Sequence, residues 1–504
     1  MKNVIKHTVV LLPLIAISSC GKQEQKRPNV LFVIADDQSY PHASIYGSKM
    51  VTTPGFDFVA SNGALFHNAY VTSPGSSPSR ASILTGMYPW QIEEAGTHAS
   101  SFSTEYICYT DILAKGGYHV GFTGKGWGPG NWKISGRLHN PAGPEYNDYK
   151  LDPPYTGISK VDYTSNFKDF LSKRQDNQPF CFWLGTHEPH RPYENMSWIK
   201  EGDSLSLAEV PDFLPSSDEV RSDLLDYAVE IEWFDQHLMN CIQELKRIGE
   251  LENTIIIVTA DNGMSFPHAK ANCYDAGLHV PLAIYWGKKI KPSQVVDNIV
   301  SLVDLAPTIL QMTDMKEYEL HEGQSLLPLM TESEREYTRH ASFSGRERHS
   351  CSRYENMGYP MRSVRWKNYI LVHNFHPERW PAGDPQELDK KDKPKEMHKA
   401  YYDIDGAPSK DYIIDHRSDL EVLPFFEAST VKRPEYELFD LNKDVKCMNN
   451  LVYNPEYSDI LIEMKQILDD QLKETDDSRI GDNPEIWESY PRLDGKMRKF
   501  PKER

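Results

Sequence analysis

The stretch NVLFVIADD, residues 29–37, is an unbroken apolar run that ends in two aspartates. An apolar run of this length predicts a strand buried on both faces. Similar runs recur at residues 119–124, 180–185, 254–260 and 280–287. Amphipathic segments separate them, the clearest at 223–249 and another at 301–312. Alternation of this kind predicts an α/β fold with a mostly parallel central sheet and helices on both faces.

The pattern of apolar and polar residues changes near residue 342. Short strand-like runs at 361–374 and 434–442 and a helical pattern at 458–474 predict a smaller C-terminal α+β domain with an antiparallel sheet and a covering helix. The last thirty residues are polar and rich in proline, which is typical of an extended arm or a frayed tail. We therefore predict a catalytic domain over 27–340, a C-terminal subdomain over 341–475 and a polar arm over 476–504.

Composition excludes some classes of partner. The chain has 504 residues, 39% of them hydrophobic, and a net charge of −18, as expected of a soluble globular protein. The charge argues against a nucleic-acid-binding surface, although one locally positive or metal-containing pocket can still take an anionic substrate. The cysteines form no CxxC pair, which excludes a zinc-finger cluster. Disulfides stay possible, but their pairing cannot be read from sequence.

The N-terminus has the features of an export signal. Lys2 and Lys6 precede an apolar run at 9–17 that is too short to span a bilayer. The segment ISSC, ending at Cys20, resembles a bacterial lipobox. We predict a lipoprotein signal peptide over 1–19 and lipidation of Cys20, so that the protein is exported and anchored by lipid in the periplasm or at the cell surface. The alternative is an ordinary signal peptide cleaved nearby.

Polar groups follow four of the predicted strands. Ligands bind outside the carboxyl ends of the strands in open parallel sheets, so these groups are expected at one sheet edge. They are Asp36 and Asp37, Lys125, His187 and His190, and Asp261 and Asn262, with Lys270 a few residues further on.

The chemistry of these groups indicates group transfer. The aspartates and Asn262 offer only oxygen ligands, which suits calcium or magnesium and not zinc. Lys125, Lys270 and Arg80 are fixed cations for an anionic group, and His187 can exchange a proton near neutral pH. With one hydroxyl residue, the set describes transfer of a phosphoryl or sulfuryl group.

The segment SSPSRASILTG, residues 76–86, resembles the signature of the type I, formylglycine-dependent sulfatases of the alkaline phosphatase superfamily. In that motif a cysteine or serine stands four residues before an arginine and is oxidised to formylglycine, which matches Ser76 before Arg80. The resemblance runs from about residue 29 to 451 and implies an alkaline-phosphatase-like large domain. With a serine at this position, the chain resembles the sulfatases whose formylglycine is made by a radical-type anaerobic maturation enzyme.

The resemblance also implies a mechanism. A hydrated aldehyde offers two hydroxyls on one carbon, so that one attacks sulfur and the other expels sulfate. Arg80 is implied to hold the formylglycine, and His187 to protonate the leaving group. Lys125 and Lys270 are implied to contact sulfate oxygens. One calcium ion per active site is implied, with ligands Asp36, Asp37, Ser76, Asp261 and Asn262.

One position departs from the family pattern. Many sulfatases have a histidine two residues after the lysine matched by Lys125, where this chain has Trp127. That histidine helps to position the formylglycine, and His98 is the candidate to replace it.

Within the family, the segments 187–193, 261–277 and 359–375 are similar to the heparan N-sulfatases (sulfamidases). Other sulfatases more often have a Gly-Arg pair where this chain has Leu278 and His279. These comparisons give the candidate substrate-binding residues His98, His190, Arg191, His279 and Arg362.

The leading hypothesis is an exported sulfatase that removes the N-sulfate of glucosamine at heparan sulfate or heparin chain ends. A sulfamate leaves as an amine, which a proton from His187 makes feasible. The nearest rival is an O-sulfatase on another host glycosaminoglycan or mucin sugar, followed by a phosphonate or phosphodiester hydrolase. A surface lipoprotein that binds sulfated glycans without turnover is the alternative of a different class, and it would need neither an oxidised Ser76 nor His187.

Overall fold

The structure is a computed structural model that describes residues 26–315, 322–331, 337–493, 495 and 497–502. The predicted signal peptide and Cys20 lie outside the described residues. The strands are β1 (Asn29–Ala35), β2 (Ala64–Phe66), β3 (Ala69–Tyr70), β4 (His119–Gly124), β5 (Phe180–Gly185), β6 (Thr254–Ala260), β7 (Leu282–Trp286), β8 (Gln294–Val296), β9 (Val300–Ser301), β10 (Ala341–Arg346), β11 (Met361–Trp366), β12 (Tyr369–Asn374), β13 (Gln386–Leu388), β14 (Pro394–Met397) and β15 (Tyr436–Asp440). The helices are α1 (Pro54–Ser61), α2 (Ser76–Thr85), α3 (Tyr109–Lys115), α4 (Tyr163–Ser172), α5 (Ser197–Glu201), α6 (Asp218–Arg247), α7 (Asp275–Leu278), α8 (Leu305–Met312), α9 (Leu327–Met330), α10 (Pro408–Asp415), α11 (Leu423–Thr430), α12 (Ser458–Glu474) and α13 (Ile486–Ser489).

The central sheet has seven strands in the order β4-β5-β1-β6-β7-β2-β8. Strands β4, β5, β1 and β6 are mutually parallel and coincide with the predicted runs, because each is buried and can pair on both sides. The run predicted at 280–287 is a shorter strand, β7, which begins after Pro281 and pairs antiparallel with β6. A proline cannot donate to a strand ladder, which accounts for the later start.

Helices cover both faces of this sheet. The long helix α6 contacts β1, α1 and α4 on one face, whereas α2, α3 and α8 contact one another on the other. Ser217 caps α6 by accepting a hydrogen bond from the Val220 N–H, so the helix begins five residues before the predicted start at 223. Together with the parallel sheet, this arrangement confirms the predicted α/β class with an alkaline-phosphatase-like architecture.

The C-terminal part forms the predicted separate antiparallel sheet, in the order β10-β11-β12-β15. Helix α12 coincides with the predicted covering helix and packs on β11 and β12. The arm that follows is packed and not frayed, because the Arg479 and Trp487 side chains are buried. Residues of this arm therefore have fixed neighbours in the fold.

The cysteines and the helices carry two further findings. The six described cysteines, Cys108, Cys181, Cys241, Cys273, Cys351 and Cys447, are buried free thiols. In the part of the chain that the structure describes, no helix combines the length and the apolar character needed to cross a bilayer.

Candidate active site

The carboxyl ends of the central strands meet at one edge of the sheet. Strand β1 leads directly into Asp36 and Asp37, and its parallel neighbour β6 leads into Asp261. Strand β4 reaches Lys125 through Gly124, whose φ is +73° and where a Cβ atom would lie 2.0 Å from a backbone oxygen of β5. Only glycine fits this crossing, which brings Lys125 over the end of β1.

Three of the predicted carboxylates form one buried cluster. Asp36, Asp37 and Asp261 each offer an oxygen within 4.8 Å of the others. The Asp37 N–H donates to Asp261 Oδ1 at 3.0 Å, and Asn262 Nδ2 donates to Asp37 Oδ1 at 2.7 Å. Asp37 has a φ of +74°, a left-handed conformation that is rare outside glycine and is typical of functional sites.

Three cations surround this cluster. Lys125 Nζ lies 2.7 and 2.6 Å from the two Asp36 oxygens, and Lys270 Nζ lies 2.6 Å from Asp37 Oδ2. Arg80 Nε donates to Asp261 Oδ2 at 2.7 Å.

The cations and burial act against each other on the carboxyl groups. Burial alone would raise the pKa of Asp36, but the charges of Lys125, His190 and Arg80 hold it well below its usual range. Burial raises the pKa of Asp261, reinforced by the neighbouring aspartates and opposed by Arg80. Each carboxylate therefore lies beside a cation, and the ionisation of the cluster depends on the balance between burial and these charges.

Ser76 is the first residue of α2 and lies against this cluster. Its Oγ donates to Asp36 Oδ1 at 3.0 Å and accepts from Lys125 Nζ at 3.0 Å. Asn262 Oδ1 lies 3.4 Å from the same hydroxyl. The structure thus brings the predicted nucleophile together with the predicted ligands and cations.

The donor set fits a hard divalent cation. Carboxylate, amide and hydroxyl oxygens from Asp36, Asp37, Asp261, Asn262 and Ser76 converge, and calcium and magnesium prefer such oxygens. A second set, Asp37, His190 and Asp405, also has ligand atoms within 4.8 Å of one another.

A cavity of about 770 Å³ opens above Ser76 and the lysines. His187 lines it, and burial, reinforced by Lys125 and Arg80 and opposed by Asp36, lowers its pKa to about 4. His190 also lines the cavity, with Nε2 3.8 Å from Asp37 Oδ2. The imidazole of His187 is neutral near pH 7 and can accept a proton there.

Three of the predicted substrate contacts are used elsewhere. Arg191 lines the cavity, but its guanidinium makes a two-pronged ion pair with Asp223 at 2.7 and 2.8 Å. His279 is buried between the rings of Tyr40 and Tyr70, at 4.1 and 4.6 Å between centroids. His279 does not line the cavity, and the charge of Arg191 is already matched by Asp223.

Arg362 is the third. It is 1% exposed on β11, and its side chain pairs with Asp477 at 2.6 Å and Glu347 at 2.7 Å. The prediction that Arg362 contacts substrate is wrong, because its face of the strand is covered by the C-terminal arm.

His98 lies beside the nucleophile, as its candidacy requires. It lines the cavity, and its ring and that of His349 stand 4.6 Å apart over Gly75, where a Cβ atom would lie 3.2 Å from His349 Nδ1. His98 Nδ1 is buried and has no hydrogen-bond partner among the described residues. Burial lowers the pKa of both imidazoles, that of His349 to about 3.

Trp127 stands where many sulfatases have a histidine. It is buried, and its Nε1 donates to the Ser77 carbonyl at 3.0 Å. The indole therefore fixes the main chain next to Ser76, and His98 remains the candidate for the missing imidazole.

Sequence reasoning missed the wall of the cavity. It is formed by His349, Ser350, Tyr402, Asp405, Arg492 and Arg498. Asp405 Oδ2 lies 3.2 Å from Lys270 Nζ and so joins this wall to the anionic cluster. These residues lie in loops and in the C-terminal arm, where no periodicity indicates their position; only the resemblance of the nearby segment 359–375 to heparan N-sulfatases gave a general hint.

Comparison with known proteins identifies the chain's relatives. The sulfatase family matches residues 28–315, and the family described as N-sulphoglucosamine sulphohydrolase, C-terminal, matches residues 267–422. Human N-sulphoglucosamine sulphohydrolase is 28% identical, over 88% of this chain and 89% of the relative. The N-acetylglucosamine-6-O-sulfatase of Bacteroides thetaiotaomicron is 24% identical, over 94% of this chain and 92% of the relative.

Solved structures share the fold. One, described as BT4656 in complex with its substrate D-glucosamine-2-N,6-O-disulfate, superposes with a TM-score of 0.62 at 21% identity, covering 91% of this chain and all of the other. The match of the sulfatase family to more than half of the sequence, with the site at the sheet edge, shows that this chain belongs to the sulfatase family and is a hydrolase of sulfate esters or sulfamates.

Proposed function

We propose that this sulfatase removes the N-sulfate of glucosamine at the ends of heparan sulfate or heparin chains. The observation that carries the proposal is the origin of the cavity wall. Lys270, His349, Tyr402 and Asp405 line the cavity and lie within residues 267–422, the segment that matches the N-sulphoglucosamine sulphohydrolase C-terminal family. The wall that faces the nucleophile is thus similar to that of proteins named for this substrate.

The chemistry follows from the sulfatase family, whose members generally use calcium and formylglycine. We propose that a maturation enzyme oxidises Ser76 to formylglycine and that Asp36, Asp37, Asp261, Asn262 and residue 76 would hold the ion. When present, the two groups supply an activated hydroxyl and polarisation of the sulfate.

The chain's own residues complete the reaction. Lys125 and Lys270 bring two cations to the cavity wall next to Ser76, where they offset the negative charge of a bound sulfate. Arg80 is fully buried and donates to Asp261 and to the Lys125 carbonyl at 2.8 Å, so it holds the cluster and the lysine in place. His187 is the proposed proton donor to the leaving amine; it must be protonated to act as an acid, and the negative charge of a sulfate bound next to Ser76 would raise the pKa of its imidazole.

We also propose that the protein is exported and anchored by a lipid on Cys20, as the N-terminal sequence predicts. Replacement of Cys20 by serine is then expected to abolish incorporation of labelled palmitate in the native host. Unchanged labelling would overturn the anchor without touching the proposed activity.

An O-sulfatase is the second candidate, since the N-acetylglucosamine-6-O-sulfatase named above aligns with 94% of the chain. The floor of the cavity, formed by Asp36, Asp37, Ser76, Lys125 and Asp261, would serve both reactions, so that the wall would distinguish them. A non-catalytic glycan-binding protein fits poorly, because it requires neither the buried anionic cluster nor Ser76 beside it.

The test is sulfate release by enzyme matured in a competent anaerobic host. N-sulfated glucosamine is compared with 6-O-sulfated N-acetylglucosamine, as free sugars and at heparin oligosaccharide ends. Release from the N-sulfated substrates alone is expected. Release from the O-sulfated sugar alone would keep the family and the nucleophile but overturn the N-sulfate assignment.

A further inference from the structure

We propose that Arg498, at the wall of the catalytic cavity, recognises a second anionic group of the substrate, a sulfate ester or a carboxylate other than the sulfate that is removed. This inference rests on the proposed function and deepens it, because it names a feature that the preferred sugar carries. It also gives a role to the C-terminal arm, which the sequence analysis left without one.

Arg498 lies in the cavity wall, and no carboxylate of the described residues matches its charge. Its guanidinium carbon lies 3.9 Å from the centroid of the Tyr402 ring, and both residues line the cavity. Its Nη1 donates to the Cys351 carbonyl at 3.0 Å, a neutral acceptor. Within the described ranges, Arg498 makes no ion pair with a carboxylate. A guanidinium has five N–H donors, so further donors remain for a ligand.

Three other cations that line the cavity are neutralised by carboxylates. Lys125 pairs with Asp36, Lys270 with Asp37 and Asp405, and Arg191 with Asp223. A bound sulfate at Ser76 therefore meets cations whose charge is already shared with buried carboxylates. Arg498 differs from them, and a cation of this kind attracts an additional negative charge.

The position of Arg498 is fixed by its neighbours. Its backbone N–H donates to Cys351 Sγ at 3.1 Å, and the buried Phe500 ring lies 6.1 Å from the Tyr402 ring. Cys351 and Tyr402, which contact Arg498, thus also hold the arm in place. The guanidinium therefore loses little conformational entropy when it binds an anionic group.

The loop that carries Tyr402 is equally well held. Buried Lys410 donates to the carbonyls of Tyr401 and Ile404 at 3.0 and 2.8 Å. Asp403 pairs with Arg353 at 2.7 Å and with Arg346. Both sides of the proposed subsite are therefore built before the substrate arrives.

The test compares substrates that differ by one anionic group. N-sulfoglucosamine serves as the reference, against N,6-O-disulfated glucosamine for a second sulfate and an N-sulfoglucosamine–uronic acid disaccharide for a carboxylate. The measured quantity is the ratio of kcat/KM for each dianionic substrate to that for the reference. The variants are Arg498→Gln, which removes the charge, and Arg498→Lys, which keeps the charge but loses the planar fork.

Arg498→Gln is expected to lower the ratio for one of the two dianionic substrates by about tenfold, mainly through KM, and that substrate identifies the group. Arg498→Lys is expected to recover part of the loss. The matched control is Lys499→Gln, which removes the same charge from an exposed neighbour that does not line the cavity, and its ratios are expected to equal those of the wild type.

A ratio unchanged in Arg498→Gln for both dianionic substrates would overturn the proposal, and so would an equal loss in Lys499→Gln. If Arg498→Gln does not fold, an unchanged ratio in Arg498→Lys would overturn it, because fork geometry is part of the recognition. Wild-type enzyme that releases no N-sulfate would instead overturn the proposed function. The same ratios measured on mono- and disulfated O-sulfated sugars would then still test Arg498.

Discussion

The floor and the wall of the cavity are built in different ways. The floor consists of Asp36, Asp37, Ser76, Lys125 and Asp261, at the ends of strands or the start of a helix, and every charge has a partner within hydrogen-bonding distance. The wall comes from loops and from the C-terminal arm, as with Tyr402 and Arg498. Its side chains are held by contacts with the rest of the fold, and some of their polar groups face the cavity.

The difference separates chemistry from selectivity. Residues of the floor depend on one another, since removal of a cation leaves a buried carboxylate unpaired at a cost of about 3–5 kcal/mol. Residues of the wall are attached to the fold at several points and can change without exposing such a charge. Variants of the floor are thus expected to stop the reaction, whereas variants of the wall change which sugar is preferred.

The largest effect is expected for Ser76→Ala. Because the hydroxyl is the only source of the formylglycine, turnover is expected to fall at least about 10⁴-fold, as for loss of other enzymic nucleophiles. Sulfate release is measured together with the circular dichroism spectrum, which is expected to match that of the wild type. Retained activity would sink the formylglycine mechanism. The matched control is Ser77→Ala, at the adjacent buried serine.

Removal of the proposed calcium ion is expected to have the next largest effect. Without the ion, the three buried carboxylates, whose oxygens lie within 4.8 Å of one another, keep Arg80, Lys125 and Lys270 as counter-charges but repel one another more strongly. Dialysis against a calcium chelator is expected to abolish turnover and to lower the thermal unfolding temperature, and added calcium to restore both. Calcium at 100 times its Kd would stabilise the fold by about 2.7 kcal/mol.

The unfolding temperature makes this test independent of catalysis, since it can be repeated on Ser76→Ala. An unfolding temperature that does not respond to the chelator or to calcium in either protein would contradict the assignment of the cluster as a metal site.

The floor was predictable from the sequence because a simple rule locates it. Apolar runs predict parallel strands, and the residues that follow such strands must meet at one edge, so Asp36, Lys125 and Asp261 could be grouped without a structure. Ser76 joined them through its motif.

The wall was not predictable in this way. Tyr402 and Arg498 reach the cavity through loops, and their positions depend on tertiary contacts such as the Lys410 bonds to backbone carbonyls. Arg362 shows the opposite error. Its segment is similar to a substrate-binding region, but its side chain faces the arm, and no sequence pattern indicated that the arm would cover it.

His98 lies between the floor and the wall of the cavity, and its replacement tests whether it acts in catalysis or in substrate binding. His98→Ala removes an imidazole whose Nδ1 is buried beside Gly75 without a described partner. If His98 positions residue 76, kcat is expected to fall about 10- to 100-fold with little change in KM. His416→Ala is the control, since His416 is exposed, follows the last residue of α10 and does not line the cavity.

A rise in KM with unchanged kcat would show that His98 contacts the substrate, as the wall residues do. A fall in kcat no greater than that of His416→Ala would show that His98 has only a packing role. His98→Gln separates packing from hydrogen bonding, because its side-chain amide fills similar space.

The smallest effect on catalysis is expected for Arg362→Met. The substitution keeps apolar volume but leaves Asp477 and Glu347 buried with one cation fewer, so the free energy of unfolding is expected to fall by about 3 kcal/mol. Because Arg362 does not line the cavity, KM is expected to remain within about twofold of the wild-type value. Arg498→Gln, in contrast, is expected to change KM by about tenfold for one dianionic substrate. Denaturant unfolding and steady-state kinetics on one preparation measure both quantities. A large rise in KM with unchanged stability would instead show that Arg362 contacts the substrate, and that strand β11 contributes to the wall of the cavity.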